Sequence, residues 1–197
     1  KFKNRKIWCA ASTHPSEELF CAKTHQNIKK MYKNVLTIII PRHIDRVEQI
    51  KKELSNLNLK ITLGNNYDQI DNDSDILLVN SYGEALKFYR ISKCVFLGKS
   101  LNKSLKMNSG QNPIEASKLG CKIFHGPNVT NFSEIYDYLK YLGVAKKINN
   151  IEELSQSVIG EFSKSESNNA EIIKKIENYG QNILNNVMKE LKVYTNI

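Results

Sequence analysis

The feature that most constrains this fold is a rhythm of short apolar runs. "KIWCAA", "VLTIII", "LKITLG", "DILLVN", "KCVFLG", "CKIFHG" and "VAKKI" follow one another along the chain, each of strand length and separated from the next by polar or helix-like sequence. A run such as "VLTIII" has too little polar alternation to leave one face in water, so it belongs in a strand covered on both sides. The intervening sequence supplies the covers. "IDRVEQIKKELSNL" carries Val47, Ile50 and Leu54 at helical spacing on one face. Helices are also expected from Pro15 to about Tyr32, over "YGEALKFYRIS", in a short segment ending at Leu119, and from about Phe132 to Leu142. The segment 150–197 is expected to be helical, with a break at "SKSESNN". Strands alternating with helices predict a parallel sheet with helices on both faces, closed by right-handed crossovers: an α/β, Rossmann-like, doubly wound domain.

A chain of 197 residues suits one such domain, and residues 1–197 are read as a single unit. It contains no apolar run long enough to span a bilayer as a helix, and "KFKNRKIW" lacks the apolar core of a secretory signal. The abrupt polar opening is expected of a fragment cut at a domain boundary. Cys9, Cys21, Cys94 and Cys121 are widely spaced, without C-x-x-C, and read as buried free thiols. The net charge of +9 comes almost entirely from scattered Lys, the only arginines being Arg5, Arg42, Arg46 and Arg90. Without aromatic interleaving, that charge fits a solvated surface or approach to an anionic membrane as well as it fits RNA.

In a parallel sheet of this kind, ligands bind outside the carboxyl ends of the strands. The segments that follow the strands are "STHPSEE", "PRH", "SYGE", "KSLNKSLKMNSGQNPIE" and "PNVTNFSE". They gather Ser12, Thr13, His14, Arg42, His43, Gln111 and Asn131 on one edge, and helices start there after Ser81, Asn112 and Asn131. Helix starts offer free N–H groups and a positive dipole end, and Gly83 and Gly110 allow close approach to the backbone. Arg42 could hold a phosphate or carboxylate bidentately. An anionic ligand is one reading. The other is plain capping, since "SYGE", "NPIE" and "NFSE" each fit a capping box, with Pro113 at the first helical position. No G-x-G-x-x-G, P-loop, G-x-S-x-G or H-E-x-x-H motif occurs, so no cofactor or metal is implied.

Taken in order, "AASTH" with "EE" behind it, "PRH", "YGE", "GQNPIEASKLG" and "HGPNVTNF" resemble the carboxyl-terminal half of the 3-deoxy-D-manno-octulosonic acid (Kdo) transferases. The resemblance runs from about residue 6 to 190. It implies a glycosyltransferase of the B-type (GT-B) fold, with two facing Rossmann-like domains. Such enzymes transfer Kdo from CMP-Kdo to the lipid A precursor in lipopolysaccharide assembly, at the cytoplasmic face of the bacterial inner membrane. It further implies CMP contacts at Pro41 and Arg42, at Tyr82, Gly83 and Glu84, and at Asn112, Pro113, Ile114 and Glu115. In that reading Arg42 meets the phosphate or the Kdo carboxylate, and Glu115 accepts from ribose hydroxyls. The family's usual Gly-Gly-His-Asn-Pro is altered by Ser109 and Gln111, its usual Met before Gly-Glu by Tyr82, and its usual Gly-Gly-Ser by Lys99. The family's catalytic base lies in the amino-terminal domain, so no catalytic residue is expected in these residues. The alternatives are the donor half of another B-type glycosyltransferase, or a basic α/β module that binds RNA. The latter rests on charge alone, and the leading reading has no nucleic-acid partner.

Overall fold

The structure is a computed structural model and describes residues 5–65, 70–101, 108–165 and 170–195. Parts of the expected polar loops at 65–74 and 99–111, and of the break at 163–169, lie outside the described residues. Seven parallel strands form one sheet: β1 (Lys6–Thr13), β2 (Val35–Pro41), β3 (Ile61–Leu63), β4 (Ile76–Leu78), β5 (Cys94–Leu97), β6 (Lys122–His125) and β7 (Ala145–Lys147). Their order across the sheet is β3-β4-β2-β1-β5-β6-β7, and every pairing is parallel. The strand-length apolar runs all form strands, and the Rossmann-like α/β reading holds.

Strand alternation divides the core in two. Trp8, Ala10, Val35, Ile39, Ile76, Leu78, Cys94, Phe96 and Phe124 point to one face. Helices α1 (Glu17–Met31), α2 (Val47–Leu54) and α6 (Ile151–Ser163) cover it. Val47, Ile50 and Leu54 are the buried residues of α2, as their spacing predicts. Cys9, Ala11, Leu36, Ile38, Leu77, Val95, Leu97 and Ile123 point the other way. That face is covered by α3 (Ala85–Tyr89), α4 (Ile114–Lys118), α5 (Ser133–Tyr141) and the first turns of α7 (Ala170–Thr195). All four cysteines are free and buried. Burial first, and then nearby acids (Glu17 and Glu18 for Cys21, Glu161 for Cys94), push these two thiols well above their ordinary range.

α3 begins at Ala85 rather than at Tyr82. The reason is local: Gly83 sits at φ 81°, which stops helical geometry from reaching back past it.

Candidate functional site at the carboxyl edge of the sheet

Because every strand is parallel, the segments after them share one edge. β1 continues to β2 on one side and β5 continues to β6 on the other, so the connections diverge between β1 and β5. Open α/β sheets have their ligand crevice at such a divergence, here above the β1/β5 pair.

A buried carboxylate builds the floor of the crevice. Glu17, the first residue of α1, is fully buried. Its Oε2 accepts from the His14 amide at 2.9 Å and the Lys99 amide at 2.7 Å. Its Oε1 accepts from the Ser100 amide at 2.9 Å and the Leu101 amide at 3.0 Å. Burial raises the carboxyl's pKa, and these four amides pull it back down. One side chain thus ties the loop after β1 to the loop after β5. The glycines complete the tie. A Cβ on Gly98 would stand 2.4 Å from the Ser12 carbonyl oxygen, and one on Gly126 would stand 2.2 Å from that of Ser100. Ser100 Oγ accepts from the Gly126 amide at 2.8 Å, which joins the end of β6 to the same assembly.

The rim is cationic. Arg42 and His43, directly after β2, are exposed, and the Arg42 amide donates to the Thr13 carbonyl at 3.0 Å. The His14 and His43 rings meet edge to face with centroids 5.7 Å apart. Burial, then His43, Lys99, Arg46 and Arg42, lower the His14 pKa to about 4, so the imidazole is neutral at pH 7. Its Nε2 is buried without a partner among the described residues, as are Thr13 Oγ1 and Ser81 Oγ. His14 is therefore not the satisfied structural histidine that its sequence setting favours when taken alone. Arg46 is different. It forms a bidentate pair with fully buried Glu18, at 2.9 and 3.3 Å, and so braces the turn after β2 against α1.

Tyr82, Gly83 and Glu84 lead into α3, and Asn112, Pro113, Ile114 and Glu115 lead into α4; the two helices pack side by side. The capping boxes expected at "SYGE", "NPIE" and "NFSE" do not form. None of α3, α4 or α5 has a side-chain cap bond. Glu84 pairs instead with Lys87, and the Asn112 side-chain Oδ1 accepts from the Ile114 amide at 3.0 Å in a two-residue turn. Glu115 and Tyr82 are exposed, and the Glu115 carboxylate has no hydrogen bond or ion pair among the described residues. A capping box does occur where none was expected, at α6. There Asn150 Oδ1 accepts from the Glu153 amide at 2.9 Å, and the Glu153 carboxylate accepts from the Asn149 amide at 2.7 Å. "NIEE" carries the spacing that signals it.

Gln111 and Asn131 act through their backbones. The Gln111 carbonyl accepts from Tyr136 Oη at 2.9 Å, and the Asn131 amide donates to the buried Ser109 carbonyl at 3.1 Å. Ser109 Oγ and Thr130 Oγ1 lie 3.1 Å apart, so Ser109 docks this loop onto the segment after β6. His125, last in β6, is buried against Tyr136 with its Nδ1 at 2.7 Å from the Gly126 carbonyl oxygen, a structural setting. A cavity of about 620 Å³ lies at the opposite edge, beside the starts of β5, β6 and β7. Two of its cations are engaged: Lys122 bonds the Gly143 carbonyl and Lys164 pairs with Glu161. Sequence reasoning gave no role to Glu17, Glu18, Arg46 or Lys99. The signal was two adjacent acids directly behind a strand-end His.

No family model matches the chain. A 3-deoxy-D-manno-octulosonic acid transferase of Haemophilus influenzae is 30% identical over 137 residues, 70% of this chain and 31% of that protein. One of Rickettsia typhi is 28% identical over 190 residues, 96% of this chain and 39% of that protein. The chain is homologous to the Kdo transferases. It spans between about a third and two fifths of the length of these relatives. Among solved structures, the C-terminal CMP-Kdo binding domain of WaaA from Acinetobacter baumannii superposes with a TM-score of 0.74 at 22% identity. The match covers 93% of this chain and 91% of that one. The transferase domain and this chain therefore share the whole fold, not only a sheet.

Proposed function

We propose that this chain is the donor-binding, carboxyl-terminal Rossmann-like half of a Kdo transferase of the B-type fold, and that it binds CMP-Kdo. Residues 1–197 form that one domain, and 150–197 are its helical closing segment. Homology to Kdo transferases over nearly the full chain is the observation that carries the reading. The cationic crevice supports it, because a phosphate is what such a rim suits.

Arg42 holds the CMP phosphate or the sugar carboxylate, with Pro41 setting its place at the end of β2. Amides near Gly83 and Asn112, together with Tyr82, Glu84, Pro113 and Ile114, bound the nucleoside. Glu115, whose carboxylate has no partner among the described residues, accepts from the ribose hydroxyls. Negative charge grows on the departing phosphate, and cations fixed beforehand on this rim stabilise it. Deprotonating the acceptor hydroxyl needs a base. Glu17, Glu18 and Glu84 are already engaged by amides, Arg46 and Lys87. By the family resemblance, the base, the lipid A precursor site and the association with the cytoplasmic face of the inner membrane are assigned to the rest of the transferase. No helix among the described residues is long and apolar enough to cross a membrane.

The isolated chain is expected to bind CMP weakly and to transfer no Kdo. Titration calorimetry with CMP, UMP, UDP and GDP tests the reading: CMP binds best. Preference for a uridine or guanosine nucleotide assigns the domain to another sugar donor. Salt-sensitive binding of RNA without any mononucleotide preference overturns the reading altogether.

A further inference from the structure

Lys99 occupies a backbone position made for glycine. Its φ is 56°, in the left-handed region where a Cβ is disfavoured. The backbone there is held from both sides. Its amide donates to Glu17 Oε2 at 2.7 Å, and its carbonyl accepts from the Gly110 amide at 2.7 Å. The resembled family has Gly-Gly-Ser where this chain has Gly98-Lys99-Ser100, and the φ value explains the second glycine. A residue that keeps such strain at a functional edge invites a reason in function.

The side chain supplies one. Lys99 is half-buried and makes no ion pair or side-chain hydrogen bond among the described residues. Arg42 shares its edge, and Lys99 lies close enough to His14 to disfavour that ring's protonation. The nearby carboxylates offer no relief, since Glu17 is taken by four amides and Glu18 by Arg46. A second positive charge near the Arg42 guanidinium favours an anion bound between them.

We propose that Lys99 Nζ, with Arg42, binds the anionic group of the nucleotide ligand, and that this chain grips a phosphate more tightly than a glycine at position 99 would allow. The proposal rests on the donor-site reading above. A lysine ammonium suits the role as a point charge that needs no fixed fork geometry.

Calorimetry on wild type, Lys99→Gly and Lys99→Met, each with CMP and with cytidine, tests it. Both variants should bind CMP about tenfold more weakly, with a flatter salt dependence, the scale of one lost charged hydrogen bond. Both should keep their affinity for cytidine, which lacks the phosphate. Lys99→Gly should also melt roughly 2–4 °C higher, because it removes the strain, whereas Lys99→Met keeps its Cβ and the strain with it. CMP affinity within twofold of wild type in both variants overturns the proposal and leaves the donor reading standing. Equal losses for CMP and cytidine overturn it too, by showing a general disturbance of the loop. A wild type that binds neither overturns both.

Discussion

Glu17 and Glu115 are both carboxylates at the carboxyl edge, and their surroundings give them opposite duties. Glu17 is buried and holds four amides; the Glu115 carboxylate is exposed and has no partner among the described residues. Glu17→Gln replaces one acceptor oxygen by a donor facing amide hydrogens, so stability should fall by about 2–3 kcal/mol in denaturant titrations. Glu115→Gln should leave the melting temperature unchanged and weaken CMP binding by roughly 1–3 kcal/mol. If Glu115→Gln instead leaves CMP binding intact, the ribose role is wrong. Glu115 could be singled out in the sequence because its motif resembles a family's. The duty of Glu17 could not, because it depends on two loops more than eighty residues apart meeting over a crevice.

At the scale of elements, strand identity was legible and helix starts were not. The central apolar runs are strands because two-sided burial leaves them no other choice, whereas β3 and β7 are less buried. The capping-box patterns before α3, α4 and α5 were misleading. Gly83 at φ 81° interrupts the first, a two-residue turn by Asn112 replaces the second, and the short turn Thr130–Phe132 precedes the third. The α3 and α5 mouths lack side-chain caps that would compete with a ligand, whereas the first α4 amide, that of Ile114, is taken by Asn112 Oδ1. α6, far along the chain, has the real box, and Asn150→Ala should cost about 1 kcal/mol of stability with no effect on nucleotide binding. Packing of the loops is less forgiving. Gly98→Ala would drive a methyl into the Ser12 carbonyl, so it should destabilise by about 1–3 kcal/mol and impair CMP binding as well. An alanine at Gly98 that melts and binds like wild type would show that the β1 and β5 loops are not clasped as described.

For the molecule as a whole, the histidines set the acid limit. Burial lowers the pKa of His25, and lowers those of His14 and His125 to about 4. Unfolded, each titrates near 6.5. Below that value the unfolded chain binds protons that the folded chain refuses, so stability is full above about pH 6.5 and declines toward pH 4. Melting temperature measured across that range should fall, and replacing buried His25 should flatten part of the slope. A melting temperature independent of pH between 6.5 and 4 would contradict these burial assignments. The domain's parallel sheet and its ligand edge follow from the strand and helix periodicity, whereas the strand order, with its divergence between β1 and β5, does not. Charge placement on that edge does not, because a net +9 says nothing of where Lys99 or Arg42 stands.

In the proposed function the crevice between β1 and β5 receives a cytidine nucleotide. A crystal of this chain soaked in CMP tests it most directly. The account predicts electron density at the carboxyl edge, with the phosphate against Arg42 and Lys99 and the ribose at Glu115. Density at any other face, or a crevice that stays empty at saturating CMP, would contradict it.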